Sequence, residues 1–178
     1  MILSRVSYRF LRKQVGKRIG NYLEIGVYEG DMLRDFAARW PSKNFYGIDP
    51  FIEDGYTTGH NGIPKGHRLE RQRAIAYENF NHMPNIKLFE QTSASFLKEK
   101  SKRELQEMNV STVYVDGNHS YDDTLNDLWL AEKLIDGNGL IYIDDFDLPD
   151  VLKATRDFTK LNQNRIATHR NHAICMKP

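Results

Sequence analysis

Five carboxylates in this chain stand where chemistry can gather. Glu24, Asp49, Asp116 and the adjacent Asp144 and Asp145 each close a short apolar run, and Gly26 and Gly30 follow the first of them. If these runs are strands of one parallel sheet, their carboxyl ends share a rim, where such sheets bind ligands. A glycine pair at a strand–helix turn permits a tight bend and lets backbone approach a ligand at the helix N-terminus. Asp49 follows Gly26 by 23 positions, which suits a carboxylate accepting hydrogen bonds from both hydroxyls of a ribose. Glu24, just before the turn, suits a ligand with a cationic amino-acid end. Asp116, Asp144 and Asp145 would crowd three negative charges, which repel one another unless a cation sits among them. Helix capping is the competing role for Asp144 or Asp145. His119 is the candidate base, since imidazole titrates near neutral pH, with loop ordering as its alternative role. Asp122, Asp123 and Asp127 suit a helix N-terminus and its solvent face.

The elements that must position these groups alternate strand and helix. Apolar runs predict strands at Asn21–Gly26, Asn44–Asp49, Ile86–Gln91, Thr112–Asp116 and Leu140–Asp144. Helical spacing predicts Asp31–Trp40, Leu69–Phe80, Phe96–Met108, Tyr121–Ile135 and Asp150–Leu161. This order argues a parallel sheet covered on both faces, and Leu140-Ile141-Tyr142-Ile143 is apolar throughout, as a doubly buried strand should be. Arg165–His169 and His172–Met176 are too close for a crossover and predict an antiparallel hairpin. Residues 51–68 form the least regular stretch, crowded with Gly55, Gly59, Gly62, Pro64 and Gly66. His60, His67, Lys65 and Arg68 lie within it, as a solvated loop or as a lid meeting an acidic acceptor. His82, His169 and His172 have no partners at metal-ligand spacing.

The chain has 178 residues with a formal net charge of +1, enough for one domain and no global case for nucleic acid. The first twenty residues hold Arg5, Arg9, Arg12, Lys13, Lys17 and Arg18 and no acid, so the remainder is net acidic. Residues 1–20 predict a basic amphipathic helix, with Leu3, Val6, Phe10, Leu11, Val15 and Ile19 on one side. Its charged face is either solvated or in peripheral contact with acidic lipid or a partner. Residues 21–178 then form a single domain. Cys175 is the only cysteine, which excludes an internal disulfide and fits a reducing, cytoplasmic setting. No apolar run is long enough to span a membrane, and the basic residues interrupt any signal-like core.

Glu24-Ile25-Gly26-Val27-Tyr28-Glu29-Gly30 resembles the first motif of class I S-adenosylmethionine-dependent methyltransferases, and Tyr46-Gly47-Ile48-Asp49-Pro50-Phe51 their second. Asp116-Gly117-Asn118-His119-Ser120-Tyr121, followed by Gly137-Asn138-Gly139-Leu140-Ile141-Tyr142-Ile143-Asp144-Asp145, is similar to the methyltransferase 24 family, related to macrocin-type and catechol-type O-methyltransferases. The resemblance runs from about Tyr22 to Ala154. A dinucleotide fold is disfavoured, because its fingerprint needs a glycine where Tyr28 stands.

The resemblance implies a Rossmann-like, doubly wound, mostly parallel seven-stranded α/β sheet. It implies that Glu24, Gly26, Tyr28, Gly30, Asp49 and Asp116 bind S-adenosylmethionine, with Thr92 and Ser93 matching the loop that contacts adenine. It carries a metal role, for magnesium or another divalent cation, onto Asp116, Asp144 and Asp145, with Asp116 and His119 as catalytic residues. Such an ion would lower the acceptor's pKa and fix its position. Asn118 departs from related metal-dependent enzymes, which can carry an acid there, and this places more weight on His119 or on the metal. The implied function is O-methylation of a small hydroxylated acceptor, in a chain that can also form homo-oligomers. A cofactor-binding module without catalysis and a methyltransferase acting on a macromolecule are the alternatives. The acidic body argues against a nucleic-acid substrate.

Overall fold

A computed structural model describes residues 5–52, 65–162, 164–169 and 171–176. Seven strands form one sheet in the order β3-β2-β1-β4-β5-β7-β6. They are β1 (Asn21–Ile25), β2 (Phe45–Ile48), β3 (Ile86–Phe89), β4 (Val110–Val115), β5 (Leu140–Ile143), β6 (Arg165–His169) and β7 (His172–Met176). Strands β1 to β5 run parallel, while β7 pairs antiparallel with β5 and β6 antiparallel with β7. The expected sheet and C-terminal hairpin are therefore present. The chain reverses its direction of travel across the sheet between β1 and β4, which opens a crevice at their carboxyl ends.

Strand alternation divides the core in two. Leu23 and Ile25 of β1, Val113 and Val115 of β4, and Ile141 and Ile143 of β5 face one side. There they meet Phe96 of α4 (Ser93–Glu99), Leu105 of α5 (Lys102–Glu107), Leu128 of α6 (Tyr121–Leu134) and Phe158 of α7 (Pro149–Asn162). Tyr22, Tyr114 and Tyr142 face the other side, against Leu11 and Val15 of α1 (Arg5–Lys17) and Leu33 and Phe36 of α2 (Asp31–Arg39). Phe80 of α3 (Lys65–Phe80) joins that second cluster. Each fully buried side chain of this size contributes about 1.5–3 kcal/mol of transfer free energy.

Helix α1 thus lies on the sheet by its apolar side, with Arg9 and Lys13 exposed. Two boundaries differ from the sequence expectation. The helix predicted over Phe96–Met108 is two helices, because Ser101 starts a second one. Its hydroxyl accepts from Glu104 N–H while the Glu104 carboxylate accepts from Ser101 N–H, a capping box that offers the backbone a better local partner than helix continuation. Helix α3 begins at Lys65 rather than Leu69. Of the irregular stretch at residues 51–68, residues 53–64 with Gly55, Gly59, His60, Gly62 and Pro64 lie outside the described residues. So do Leu3 and the side chains of Lys65, His67 and Arg68.

Candidate active site

Neighbouring strands β2, β1 and β4 bring Asp49, Glu24 and Asp116 to one rim. Gly26 bends the chain away from β1 at φ 86°, and a methyl group there would lie 1.9 Å from the Asp116 carbonyl oxygen. Only glycine lets the β1 and β4 turns meet so closely. Tyr28 and Gly30 are also left-handed, at φ 56° and 76°, and Gly30 opens α2 without a side-chain cap. Asp49 secures this turn: one carboxylate oxygen accepts from Val27 N–H and Tyr28 N–H, each at 2.9 Å, and the other from Phe51 N–H at 2.7 Å.

Glu24 is buried and accepts a hydrogen bond from Tyr22 Oη at 3.2 Å. Burial pushes its carboxyl well above the usual range; the Tyr22 bond opposes this, and the charges of Asp116 and Asp49 add to it. No basic side chain among the described residues forms an ion pair with it. A buried acid of this kind is costly unless a cation meets it, and the ammonium end of an amino acid is a fitting one.

At the ends of β4 and β5 the structure brings together Asp116, His119 and Asp145. His119 Nε2 lies 3.3 Å from Asp145 Oδ2 and 3.7 Å from Asp116 Oδ1. One ligand atom from each of the three falls within 4.8 Å of the others. Burial raises the Asp116 and Asp145 carboxyls, and His119 opposes the shift in both. This set differs from the trio expected from sequence in holding His119 where Asp144 was expected; Asp144 stands beside it, linked to Asp116 through Tyr114 Oη, which lies 3.2 Å from Asp116 Oδ2. Asp144 Oδ2 accepts from Tyr114 Oη at 2.6 Å, and its Oδ1 lies 2.7 Å from His172 Nδ1. β5 ends at Ile143, and the backbone turns between Asp144 and Asp145, so the two carboxylates meet different partners. Asp145 is left-handed at φ 48°, and its N–H donates to Asp144 Oδ1 at 2.8 Å.

Thr92 and Ser93 follow β3 on the same rim, and both hydroxyls are engaged within the protein. Thr92 caps α4 by accepting from Ser95 N–H, and Ser93 donates to Asp127. Asp127 is a second correction: it is 4% exposed rather than on a solvent face. Burial pushes its carboxyl up to about 7, against the Ser93 hydrogen bond. Asp122 is exposed, and Asp123 donates its N–H to Ser120 Oγ at the start of α6. Tyr121 packs outward, its hydroxyl donating to Asp157.

Tyr22, Tyr114 and His172 are site residues that spacing alone did not single out. The two tyrosines were recoverable from alternation, since Tyr22 precedes Glu24 by two, as Tyr114 precedes Asp116. His172 reaches Asp144 only through the antiparallel β5–β7 pairing.

A seven-stranded sheet of this order, with a glycine turn at β1 and acids closing β1, β2 and β4, defines a class I methyltransferase domain of the S-adenosylmethionine-dependent type. The chain belongs to the methyltransferase 24 family, whose model, described as a methyltransferase domain, matches residues 23–146. The calicheamicin methyltransferase CalS11 superposes on 96% of this chain and 77% of its own, with TM-score 0.65 and 18% identity. A caffeoyl-CoA O-methyltransferase candidate from Staphylococcus aureus covers 100% of this chain and 86% of its own, at TM-score 0.68 and 13% identity. These likenesses are ones of fold. The uncharacterized protein R132 of Acanthamoeba polyphaga mimivirus is 25% identical over 125 residues, 70% of this chain. The match spans 51% of that relative, about half its length.

Proposed function

We propose that this chain transfers a methyl group from S-adenosylmethionine to a hydroxyl oxygen of a small acceptor held beside Asp116, His119 and Asp145. The observation that carries this reading is the adjacency of two groupings on one rim. The Glu24–Gly26–Asp49 cleft suits the cofactor, and the Asp116–His119–Asp145 cluster lies next to it across the β1–β4 crevice. Bound there, the cofactor supplies an electrophilic methyl on a sulfonium; the protein has to align the acceptor, exclude water and remove a proton.

Glu24 would meet the amino group, the backbone of the Gly26–Gly30 turn the methionine part, Asp49 the ribose, and the loop at Thr92–Ser93 the adenine. His119 is placed to take the acceptor proton, with Asp116 and Asp145 holding its imidazole between them. Alternatively the same three residues offer two carboxylate oxygens and one imidazole nitrogen to a divalent ion, and His119 is then a ligand, with the ion taking over activation of the acceptor. The carboxylate oxygens suit magnesium or manganese and the imidazole a transition ion, and an ion held there would lower the acceptor's pKa.

The test is calorimetry of the full chain with S-adenosylmethionine, with and without Mg²⁺ or Mn²⁺, followed by turnover on a panel of hydroxylated sugars and phenols. Cofactor binding with ion-dependent turnover is the expected result. Turnover indifferent to chelator removes the metal. Binding without turnover on any acceptor favours a cofactor-binding module.

A further inference from the structure

Asp127 occupies a place where a helix packed against its neighbour usually carries an apolar side chain. It lies in the second turn of α6, buried, and the proposed chemistry makes no use of its charge. On one side Ser93, the first residue of α4, donates its hydroxyl to Asp127 Oδ1. On the other the carboxylate presses on the loop after β4: a methyl group built on Gly117 would come 2.6 Å from Asp127 Oδ2. One side chain therefore touches both the segment that follows β3 and the segment that follows β4.

In the sheet β3 and β4 are separated by β2 and β1, so no ladder hydrogen bond ties their carboxyl ends together. Close packing of α4 on α6 needs no charge, and burying a carboxylate costs several kcal/mol in general. An apolar residue of similar volume would serve packing at least as well. A carboxylate adds direction: its hydrogen bond sets the start of α4 against the Gly117 turn at one distance and angle. Those two loops flank the part of the cleft assigned to adenine.

We propose that Asp127 is the positioning residue for the adenine side of the cleft, holding the β3 and β4 loops at the separation the ring requires. The inference rests on the cofactor reading above. Asp127 acts through Ser93 and Gly117, being too buried to meet the ring.

The test measures calorimetric affinity of the full chain for adenosine and for S-adenosylhomocysteine, alongside unfolding temperature. Ser93→Ala and Asp127→Ala are expected to weaken both ligands about 10-fold, as loss of one hydrogen bond to a charged group does. Asp127→Asn keeps the acceptor and should restore most of the affinity. Glu24→Gln, in contrast, should weaken S-adenosylhomocysteine and leave adenosine alone, because adenosine lacks the amino-acid end. Ser93→Ala guards against an Asp127→Ala protein that fails to fold. Wild-type affinity for adenosine in folded Ser93→Ala overturns the proposal, as does a loss confined to S-adenosylhomocysteine, even if the unfolding temperature falls. A wild-type chain that binds neither ligand overturns the cofactor reading itself, and the positioning role with it.

Discussion

His172 Nδ1 lies 2.7 Å from Asp144 Oδ1, and both side chains are buried. This contact carries the C-terminal hairpin to the end of β5 and commits Asp144 to the protein interior. Asp145, the next residue, is left to face His119. We read the two adjacent aspartates as holding separate tasks, Asp144 in stability and Asp145 at the proposed site.

Substitution should separate those tasks. Asp144→Ala is expected to cost about 2–4 kcal/mol, because it removes the buried acid that meets Tyr114 Oη and lies against His172 Nδ1. Asp145→Ala should leave the unfolding temperature nearly unchanged and abolish any heat of Mn²⁺ binding. Thermal unfolding and calorimetry on the two variants read this directly. Equal losses of stability would mean that the division of labour is wrong.

Glu24 sets function against stability. Its carboxyl is raised by burial, so between its unfolded and folded pKa the folded state binds the extra proton, and stability falls as pH rises through that window. Glu24→Gln removes the penalty. Without cofactor, the variant should unfold higher at pH 8, by about 2–4 °C for each kcal/mol recovered, while binding S-adenosylmethionine more weakly. A variant that unfolds lower would show that the ionised acid already has a cationic partner.

Asp127 should leave a mark on the pH dependence of folding. Its pKa is raised from 3.8 to about 7, so its contribution is full below the unfolded pKa and declines as pH rises toward 7. Asp127→Asn should flatten the fall of unfolding temperature over that interval. Parallel curves for variant and wild type would assign the pH dependence to other groups.

The break between α4 and α5 gives a local prediction. Ser101→Ala removes the hydroxyl half of the capping box and should lower the unfolding temperature by about 2–4 °C, with cofactor affinity unchanged. Differential scanning calorimetry checks the first part and cofactor titration the second.

Much of this was legible in the residues themselves. Apolar runs such as Leu140-Ile141-Tyr142-Ile143 mark strands because both faces of the sheet are covered, and the short gap between Arg165–His169 and His172–Met176 forces a hairpin. Acids at strand ends mark the rim, since a strand's last residue is where backbone pairing stops and solvent begins. The division between Asp144 and Asp145 was not legible, because it rests on the left-handed backbone at Asp145 after β5 has ended. The capping box was also written out, as Ser101 with Glu104 three residues on, although helical spacing running through it hid the break. His172 with Asp144, and Asp127 with Ser93, were not legible. Both pairs join segments about thirty residues apart, and only strand pairing or helix packing brings them together.

Asp49 carries a consequence for how the proposed nucleoside cofactor would enter. Because it already fastens the backbone of Val27 and Tyr28, the cradle at the end of β1 is assembled when the chain folds. The ordering entropy of that loop is not charged again at encounter. Arrival at this rim should therefore be governed by access from solvent, with association fast and little rearrangement of the glycine turn.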